Sequence, residues 1–423
     1  MKALDVSLAV ALGVLAAAAC ALAVHPAAAQ TSAAPAAPSL TVTLDQAINL
    51  ALAHNHALAA TRTTVDQARA DEVTAGLRPN PGLSADWQVL PWSSSVNGDV
   101  GLSYTLERGG KRDHRIDAAR EATAVTRAQV ADAERTLSFQ VASQFIAVQL
   151  AESALVLARD NLESFQNAIA VAEDRFRSGG MSENDYLKVK LQLLQFQTDV
   201  EQAQLARIQA LSDLRQLVGY EVLPAGYDVA GPFDYRPVTA RLGDLQELAA
   251  RDRADLRAAR QGVAAATSQH ALAEANAGQD LTLSLGYSRS GGDGAATIGL
   301  GIPLAIFDRN QGERAKTRVA ITQAEQQSAE LTGQVMTDVH DAYEALQRTD
   351  RVVQHYRSGY LGMSARSREI SEYAYRRGAL SLFDFLDAER TYRATQVGYR
   401  QALADYLMAV EQVRQAVGSR AWQ

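Results

Sequence analysis

No glycine occurs between Gly110 and Gly179, and no proline between Pro91 and Pro224. With no breaker in that stretch, the spacing predicts one helix over Lys111–Arg177, roughly 100 Å long at 1.5 Å per residue. Val148, Leu155, Leu162, Ile169 and Phe176 recur every seven residues along it, with Ala151, Ala158, Phe165 and Ala172 at the accompanying d positions. This is a coiled-coil seam, and a seam needs a partner. The chain turns at Ser178-Gly179-Gly180-Met181-Ser182 and resumes with Val189, Leu193, Phe196, Val200, Ala203, Ala210, Leu214 and Leu217 in the same kind of pattern. The simplest geometry is a long antiparallel helical hairpin.

Four other segments alternate with a period of two, the mark of strands with one apolar and one polar face. Leu83, Ala85, Trp87 and Val89 alternate with Ser84, Asp86 and Gln88, and Val100, Leu102, Tyr104 and Leu106 with Gly101, Ser103 and Thr105. A loop with Pro91 and Asn97-Gly98-Asp99 joins these two. Far downstream Leu281, Leu283, Leu285 and Tyr287, then Ile298, Leu300 and Ile302, make a second hairpin across Gly291-Gly292-Asp293-Gly294. Each hairpin alone has an alternative reading as part of a soluble sandwich. Before each long helical segment, the pair fits a membrane barrel, with Trp87, Tyr104 and Tyr287 as interfacial aromatics. Four strands leave two edges exposed, so hairpins from several copies must be pooled.

The N-terminus supports export. An apolar run from Val6 to Val24 follows Met1-Lys2, and Ala27 and Ala29 give the small-residue pattern of a secretory signal, residues 1–29, cut after Ala29. An uncleaved anchor is the alternative, and lipidation of Cys20, the single cysteine, is another. No later stretch approaches the unbroken apolar length of a transmembrane helix. The net charge of -7 argues against a nucleic-acid partner, whose phosphates call for a basic excess.

The second half restates the first. Phe176-Arg177-Ser178-Gly179-Gly180-Met181-Ser182-Glu183-Asn184-Asp185 aligns with Tyr375-Arg376-Arg377-Gly378-Ala379-Leu380-Ser381-Leu382-Phe383-Asp384, and Gly101-Leu102 with Gly299-Leu300. The expected organisation is a first repeat at 30–220, with strands at about 83–90 and 99–107 and a helical hairpin at 111–218. A breaker-rich linker at 221–241 follows. The second repeat at 242–418 has strands at about 280–288 and 296–304 and a helical hairpin at 312–417, and 419–423 is a tail.

On these residues the sequence resembles the TolC family of outer-membrane efflux proteins. Leu44-Asp45-Gln46-Ala47-Ile48 looks like that family's opening helix, and Arg253-Ala254-Asp255-Leu256 like its second-half counterpart. The junctions Leu106-Glu107-Arg108-Gly109-Gly110-Lys111-Arg112 and Ile302-Pro303-Leu304-Ala305-Ile306-Phe307-Asp308-Arg309-Asn310-Gln311-Gly312 look like the heavy-metal, cobalt-zinc-cadmium type branch.

The resemblance implies a mostly α fold with a membrane β-barrel: a homotrimer with a 12-stranded barrel in outer-membrane lipid and an α-helical barrel in the periplasm. It implies docking to a periplasmic adaptor (membrane fusion) protein and, through it, to a resistance-nodulation-division inner-membrane pump, with export of divalent heavy-metal cations. The turns Gly179-Gly180-Met181-Ser182 and Gly378-Ala379-Leu380-Ser381 become adaptor-docking tips. Asp384 and Asp387, three apart and so on one helix face, become stacked carboxylate rings that favour cations; a solvated acidic face at a helix start is the plainer account. Asp185 and Tyr375 match a latch between coiled coils. Leu380 stands where an arginine latch would sit, so Arg376 or Arg377 is a candidate substitute.

Nothing points to catalysis. His54 and His56 do not share a helix face, no ligand set has metal spacing, and Gly109-Gly110-Lys111-Arg112 lacks the Walker spacing. No cofactor is expected. Within the family, drugs, siderophores or type I secretion substrates are the alternative cargo. Outside it, the rival is a secreted coiled-coil or adhesin-like protein.

Overall fold

A computed structural model describes residues 40–89, 96–290 and 293–420. The expected signal with Cys20, Pro91 of the first loop, and Gly291 and Gly292 of the second lie outside the described residues. The first half runs β1 (Thr41–Val42), α1 (Leu44–His54), α2 (His56–Ala75), β2 (Gly82–Val89), β3 (Val96–Leu106), α3 (Lys111–Arg177) and α4 (Glu183–Val218). After β4 (Asp228–Val229), the second runs α5 (Leu242–Asp252), α6 (Ala254–Ala275), β5 (Leu281–Ser290), β6 (Asp293–Gly301), α7 (Gln311–His355), α8 (Leu361–Arg376) and α9 (Leu382–Val417).

Local chemistry explains the breaks. Thr43 and Gln46 form a capping box at the start of α1, each side chain bonding the other's amide, at 3.4 and 2.9 Å. Asn55 separates α1 from α2, accepting from the Leu58 amide at 2.9 Å and donating to the Leu217 carbonyl at 2.8 Å. Arg253 separates α5 from α6 in the second half. It is 5% exposed and pairs with Asp255 and Asp338, so a charge replaces an amide at the matching position.

α3 is unbroken over 67 residues. Its counterpart is not: a π turn at Tyr356–Tyr360 separates α7 from α8, with Gly359 at φ 140°, a conformation side chains resist. The expected second helical hairpin at 312–417 is therefore interrupted. α3 also contains an 18-residue window of mean hydropathy 1.6, long and apolar enough to cross a bilayer. It is not an unbroken apolar run, since Gln144, Gln149 and Glu152 stand among its apolar residues. Val141, Phe145, Val148 and Leu155 of α3 are buried in the protein's own core.

The strands form one antiparallel sheet in the order β2-β3-β5-β6, with the two hairpins joined through β3 and β5. Directly opposed residues share a face, so Leu83, Leu102, Leu285 and Ile298 form one apolar row across all four strands. Ser84, Gly101, Gly286 and Thr297 form a small, polar row on the other face. A Cβ at Gly299 would lie 2.4 Å from Ser284 Oγ, so glycine gives the neighbouring hydroxyl its space. Strand ends differ from expectation: β3 starts at Val96, and β6 runs from Asp293 to Gly301, short of the expected 304. Pro303, which has no N–H for a ladder, stands just beyond.

Where strands meet helices, Lys111 is 8% exposed and donates to Asp280 at 2.7 Å, while the Arg108 amide donates to the same oxygen at 3.1 Å. The start of the first helical hairpin is thereby tied to the entry of the second β-hairpin. Two matching cores lie further along. Ile48, Phe145, Val148 and Leu214 centre one, and Leu256, Val339, Leu346 and Tyr406 the other. A third core at the tips, with Phe165, Val189, Phe196, Tyr375 and Phe385, draws on both halves.

Candidate functional site: the paired helical tips

Both helical hairpins turn in the same way. At the end of α3 the Gly180 amide bonds the Arg175 carbonyl at 2.8 Å and the Gly179 amide the Phe176 carbonyl at 3.0 Å. At the end of α8 the Ala379 amide bonds Ala374 at 2.9 Å and the Gly378 amide bonds Tyr375 at 3.0 Å. These are Schellman motifs, which need a left-handed residue at the turn. Gly179 at φ 76° and Gly378 at φ 74° supply it.

The next helix starts match as well. Ser182 caps α4 and Ser381 caps α9, each accepting from the amide three residues on at 3.2 Å. Each hydroxyl then donates to that residue's carboxylate, Ser182 to Asp185 at 2.8 Å and Ser381 to Asp384 at 2.7 Å. Asp384 therefore has a structural task at its own helix start. Asp387, one turn on and exposed, has none; the first half places Lys188 there.

Gly179, Gly180, Ser182, Gly378, Ala379 and Ser381 are exposed. Met181 and Leu380 are half-buried and pack against the tip core. The outward tip surface is thus mostly backbone, glycine and serine, while its two larger apolar side chains anchor the turns.

Tyr375 is 2% exposed and stacks on Phe385 at 4.9 Å. Its hydroxyl is buried with no hydrogen-bond partner among the described residues. Burial pushes its pKa up, the Arg175 charge lowers it, and the Asp185 charge raises it. Asp185 and Tyr375 are thus electrostatically coupled but not hydrogen-bonded within the protomer. Arg376 pairs with Glu372 and Arg377 lies over the Tyr373 ring, both partners on their own helix.

Other arginines connect the two hairpins. Arg175 donates to the Tyr375 carbonyl at 3.2 Å and lies 5.2 Å from its ring centroid. Arg393 of α9 pairs with Asp199 of α4 and covers the Phe196 ring at 4.5 Å. Sequence reasoning missed them, although a signal existed. Arg175 precedes seam residue Phe176 and Asp199 precedes seam residue Val200, the positions from which charges reach across a coiled coil. Between α8 and α9, Glu389 is 3% exposed, and burial raises its pKa against the opposing charge of Arg368 at 3.5 Å. Among the described residues no group of three or more metal-ligating side chains gathers.

A duplicated chain that joins a two-faced β-sheet to long helical hairpins ending in matched tips defines the architecture of an envelope channel subunit. The profile of the outer membrane efflux protein family matches the chain twice, over residues 47–220 and 245–419, and the chain belongs to that family, the TolC family. It is an outer-membrane efflux channel protein with a periplasmic helical portion. Among its relatives, the cobalt-zinc-cadmium resistance protein CzcC of Cupriavidus metallidurans is 25% identical, over 89% of this chain and 90% of that protein. The pyoverdine export outer membrane protein OpmQ of Pseudomonas putida is 27% identical, over 90% of this chain and 86% of its own length. A crystal structure of CusC superposes with a TM-score of 0.75 at 20% identity, covering 90% of this chain and 93% of that one.

Proposed function

We propose that three copies of this chain close a 12-stranded barrel above an α-helical barrel and serve as the outer-membrane duct of a tripartite system exporting divalent heavy-metal cations. The observation that carries the duct is the four-stranded sheet, whose edge strands β2 and β6 each leave one side without a strand partner among the described residues, while Leu83 is 77% and Ile298 80% exposed. An open edge in lipid leaves backbone groups unsatisfied, and closure with further copies satisfies them. The helices support the same assembly. Leu187, Leu191, Leu194, Leu205 and Ile208 form an exposed heptad-spaced stripe on α4, and Tyr360, Met363, Ile370 and Tyr373 run along the second hairpin. Each is half of a seam that a neighbouring copy completes.

The tips at Gly179 to Ser182 and Gly378 to Ser381 dock a periplasmic adaptor, which connects the duct to a resistance-nodulation-division pump. Their small, polar surfaces admit another helix end closely. Asp387 lines the aperture as a ring of three carboxylates under three-fold symmetry, with Asp384 beside it, and the rings favour cations. Asp185 and Tyr375 form the latch of the closed state: the buried phenol has no hydrogen-bond partner among the described residues, and the Asp185 charge acts on it.

Heavy metal as cargo rests on the end-to-end likeness to CzcC. The comparable likeness to OpmQ favours a siderophore as the second reading. A deletion strain challenged with zinc, cobalt, cadmium, nickel and copper, and separately with drugs and siderophores, decides between them. Metal hypersensitivity reversed by the cloned gene is expected. Unchanged tolerance of every metal would remove the metal reading and leave the duct.

A further inference from the structure

The segment between β6 and α7 carries large apolar side chains that the protomer leaves uncovered. Leu304 is 79% and Phe307 91% exposed, and Ile302 and Ile306 are exposed beside them. The first half has only Glu107-Arg108-Gly109-Gly110 between β3 and α3, so the duplication does not account for these side chains. Pro303 ends the ladder, and the Ile306 amide turns back onto the Leu304 carbonyl at 2.9 Å. Beyond that turn the segment bonds its own backbone. Arg309 Nε donates to the Ala305 carbonyl at 3.3 Å and Gln311 Nε2 to the Phe307 carbonyl at 3.2 Å. Gln311 Oε1 accepts from the Arg309 amide at 2.7 Å, and Asp308 from the Asn310 amide at 2.8 Å. A loop that bonds its backbone internally and turns its apolar side chains outward is suited to surroundings poorer in water than the periplasm.

The segment belongs to a belt that also holds arginines. Asn310 donates to the Ala273 carbonyl near the end of α6 at 2.7 Å, and Arg112 to the Gly76 carbonyl at the end of α2 at 2.7 Å. Lys111 and the Arg108 amide meet Asp280 just before β5. Both strand-to-helix junctions therefore lie at one level, where the sheet gives way to the helices. Arg78, Arg108 and Arg309 are exposed at this level, and none forms an ion pair among the described residues. The nearby carboxylates are engaged, Glu107 by Arg115 and Asp280 by Lys111. Free guanidinium groups thus stand beside uncovered apolar side chains at the helix end of the sheet's apolar face, where Ile302 follows Ile298 and Leu300 at two-residue spacing.

We propose that residues 302–309, together with Arg78 and Arg108, form a collar that binds anionic phospholipid at the periplasmic face of the outer membrane. Leu304, Ile306 and Phe307 enter the boundary of the acyl chains, and the three guanidinium groups take lipid phosphates. The collar rests on the barrel reading above. Arginine suits the task because its planar fork pairs two phosphate oxygens at once, and each basic group close to an anionic surface adds roughly five-fold in affinity. A neighbouring copy does not cover the segment by strand pairing. Where β6 of one copy meets β2 of the next, Pro303 on one side and Pro79 and Pro81 on the other lack the N–H groups that would carry a ladder down to it.

Depth is measured on the full-length protein in vesicles of phosphatidylethanolamine and phosphatidylglycerol. A bimane label is placed at Phe307→Cys, at Leu285→Cys in the sheet and at Ser178→Cys at a tip, each with Cys20→Ser. The label at 307 is expected to be quenched by lipid spin-labelled near the headgroup and shielded from iodide, with 285 quenched by lipid and 178 by iodide. Quenching at 307 by iodide, or by neither agent as burial against a neighbouring copy would give, overturns the collar, and lipid quenching at 285 then leaves the barrel standing. Absence of lipid quenching at 285 removes the barrel and the collar with it. Headgroup choice is read by native mass spectrometry with equal phosphatidylglycerol and phosphatidylcholine. Arg78→Gln, Arg108→Gln and Arg309→Gln combined are expected to lower the preference for phosphatidylglycerol by roughly ten-fold or more, and the corresponding three lysine substitutions to retain most of it. An unchanged preference in the folded triple glutamine variant overturns the proposal.

Discussion

Ser381 and Asp384 cap each other at the start of α9: the hydroxyl donates to the carboxylate at 2.7 Å, and the Asp384 amide donates back to the hydroxyl at 3.2 Å. Ser182 and Asp185 do the same at the start of α4. A residue singled out for an aperture is thus also part of a helix cap that the other half repeats with its own aspartate.

The two proposed ring residues should therefore separate by experiment. Ser381→Ala removes the cap and is expected to cost about 1 kcal/mol of helix stability, visible as a lower melting temperature with ion selectivity retained. Asp387→Asn is expected to leave melting unchanged while lowering cation selectivity, measured as a shift in reversal potential in a planar bilayer under a salt gradient. Unaltered selectivity in Asp387→Asn would count against the ring.

The junction at Arg253 should set the acid limit of the fold. Burial pushes the Asp255 pKa up, but the Arg253 hydrogen bond and the charges of Arg253 and Arg135 outweigh it, so the folded value lies below the ordinary one. A depressed carboxylate stabilises the fold fully above its unfolded pKa of about 3.9, and that contribution fades as pH falls through the lower folded value. Arg253→Met leaves the half-buried carboxylates of Asp255 and Asp338 short of a partner and is expected to destabilise the fold near neutral pH, by less than the roughly 3 kcal/mol of a fully buried pair that loses one partner. The variant's melting temperature should begin to change with acid at a higher pH than that of the parent protein, as read by circular dichroism from pH 7 to pH 3.

The two faces of the sheet should tolerate charge differently. Leu285→Arg places a guanidinium in the apolar row, and a cost of about 2 to 4 kcal/mol is expected if that row meets the bilayer midplane. Ser284→Arg, one residue away, points to the other face and should be accepted. Recovery of folded, heat-modifiable protein from outer-membrane fractions measures both, and equal loss in the two variants would refute the assignment of faces.

Much of this architecture was legible in the sequence because it rests on local rules. The long helix needs only a stretch without glycine or proline, and the strands only a two-residue alternation. The two tips announce themselves through glycine and serine at matching places, since each serves a turn or cap within a few residues. Arg175 and Arg393 were harder to see: their partners lie on the other hairpin, and many exposed arginines occupy similar positions.

The sequence by itself determined which segments become helix and strand, and that the chain is a doubled unit, because periodicity and breakers act over a few residues. Only the tertiary structure decided that β3 pairs with β5, that the second long helix breaks at Gly359, and that the Tyr375 hydroxyl is buried without a partner among the described residues. The physical reason is that pairing, burial and charge compensation depend on groups scores of residues apart, which are brought together only when the two halves pack.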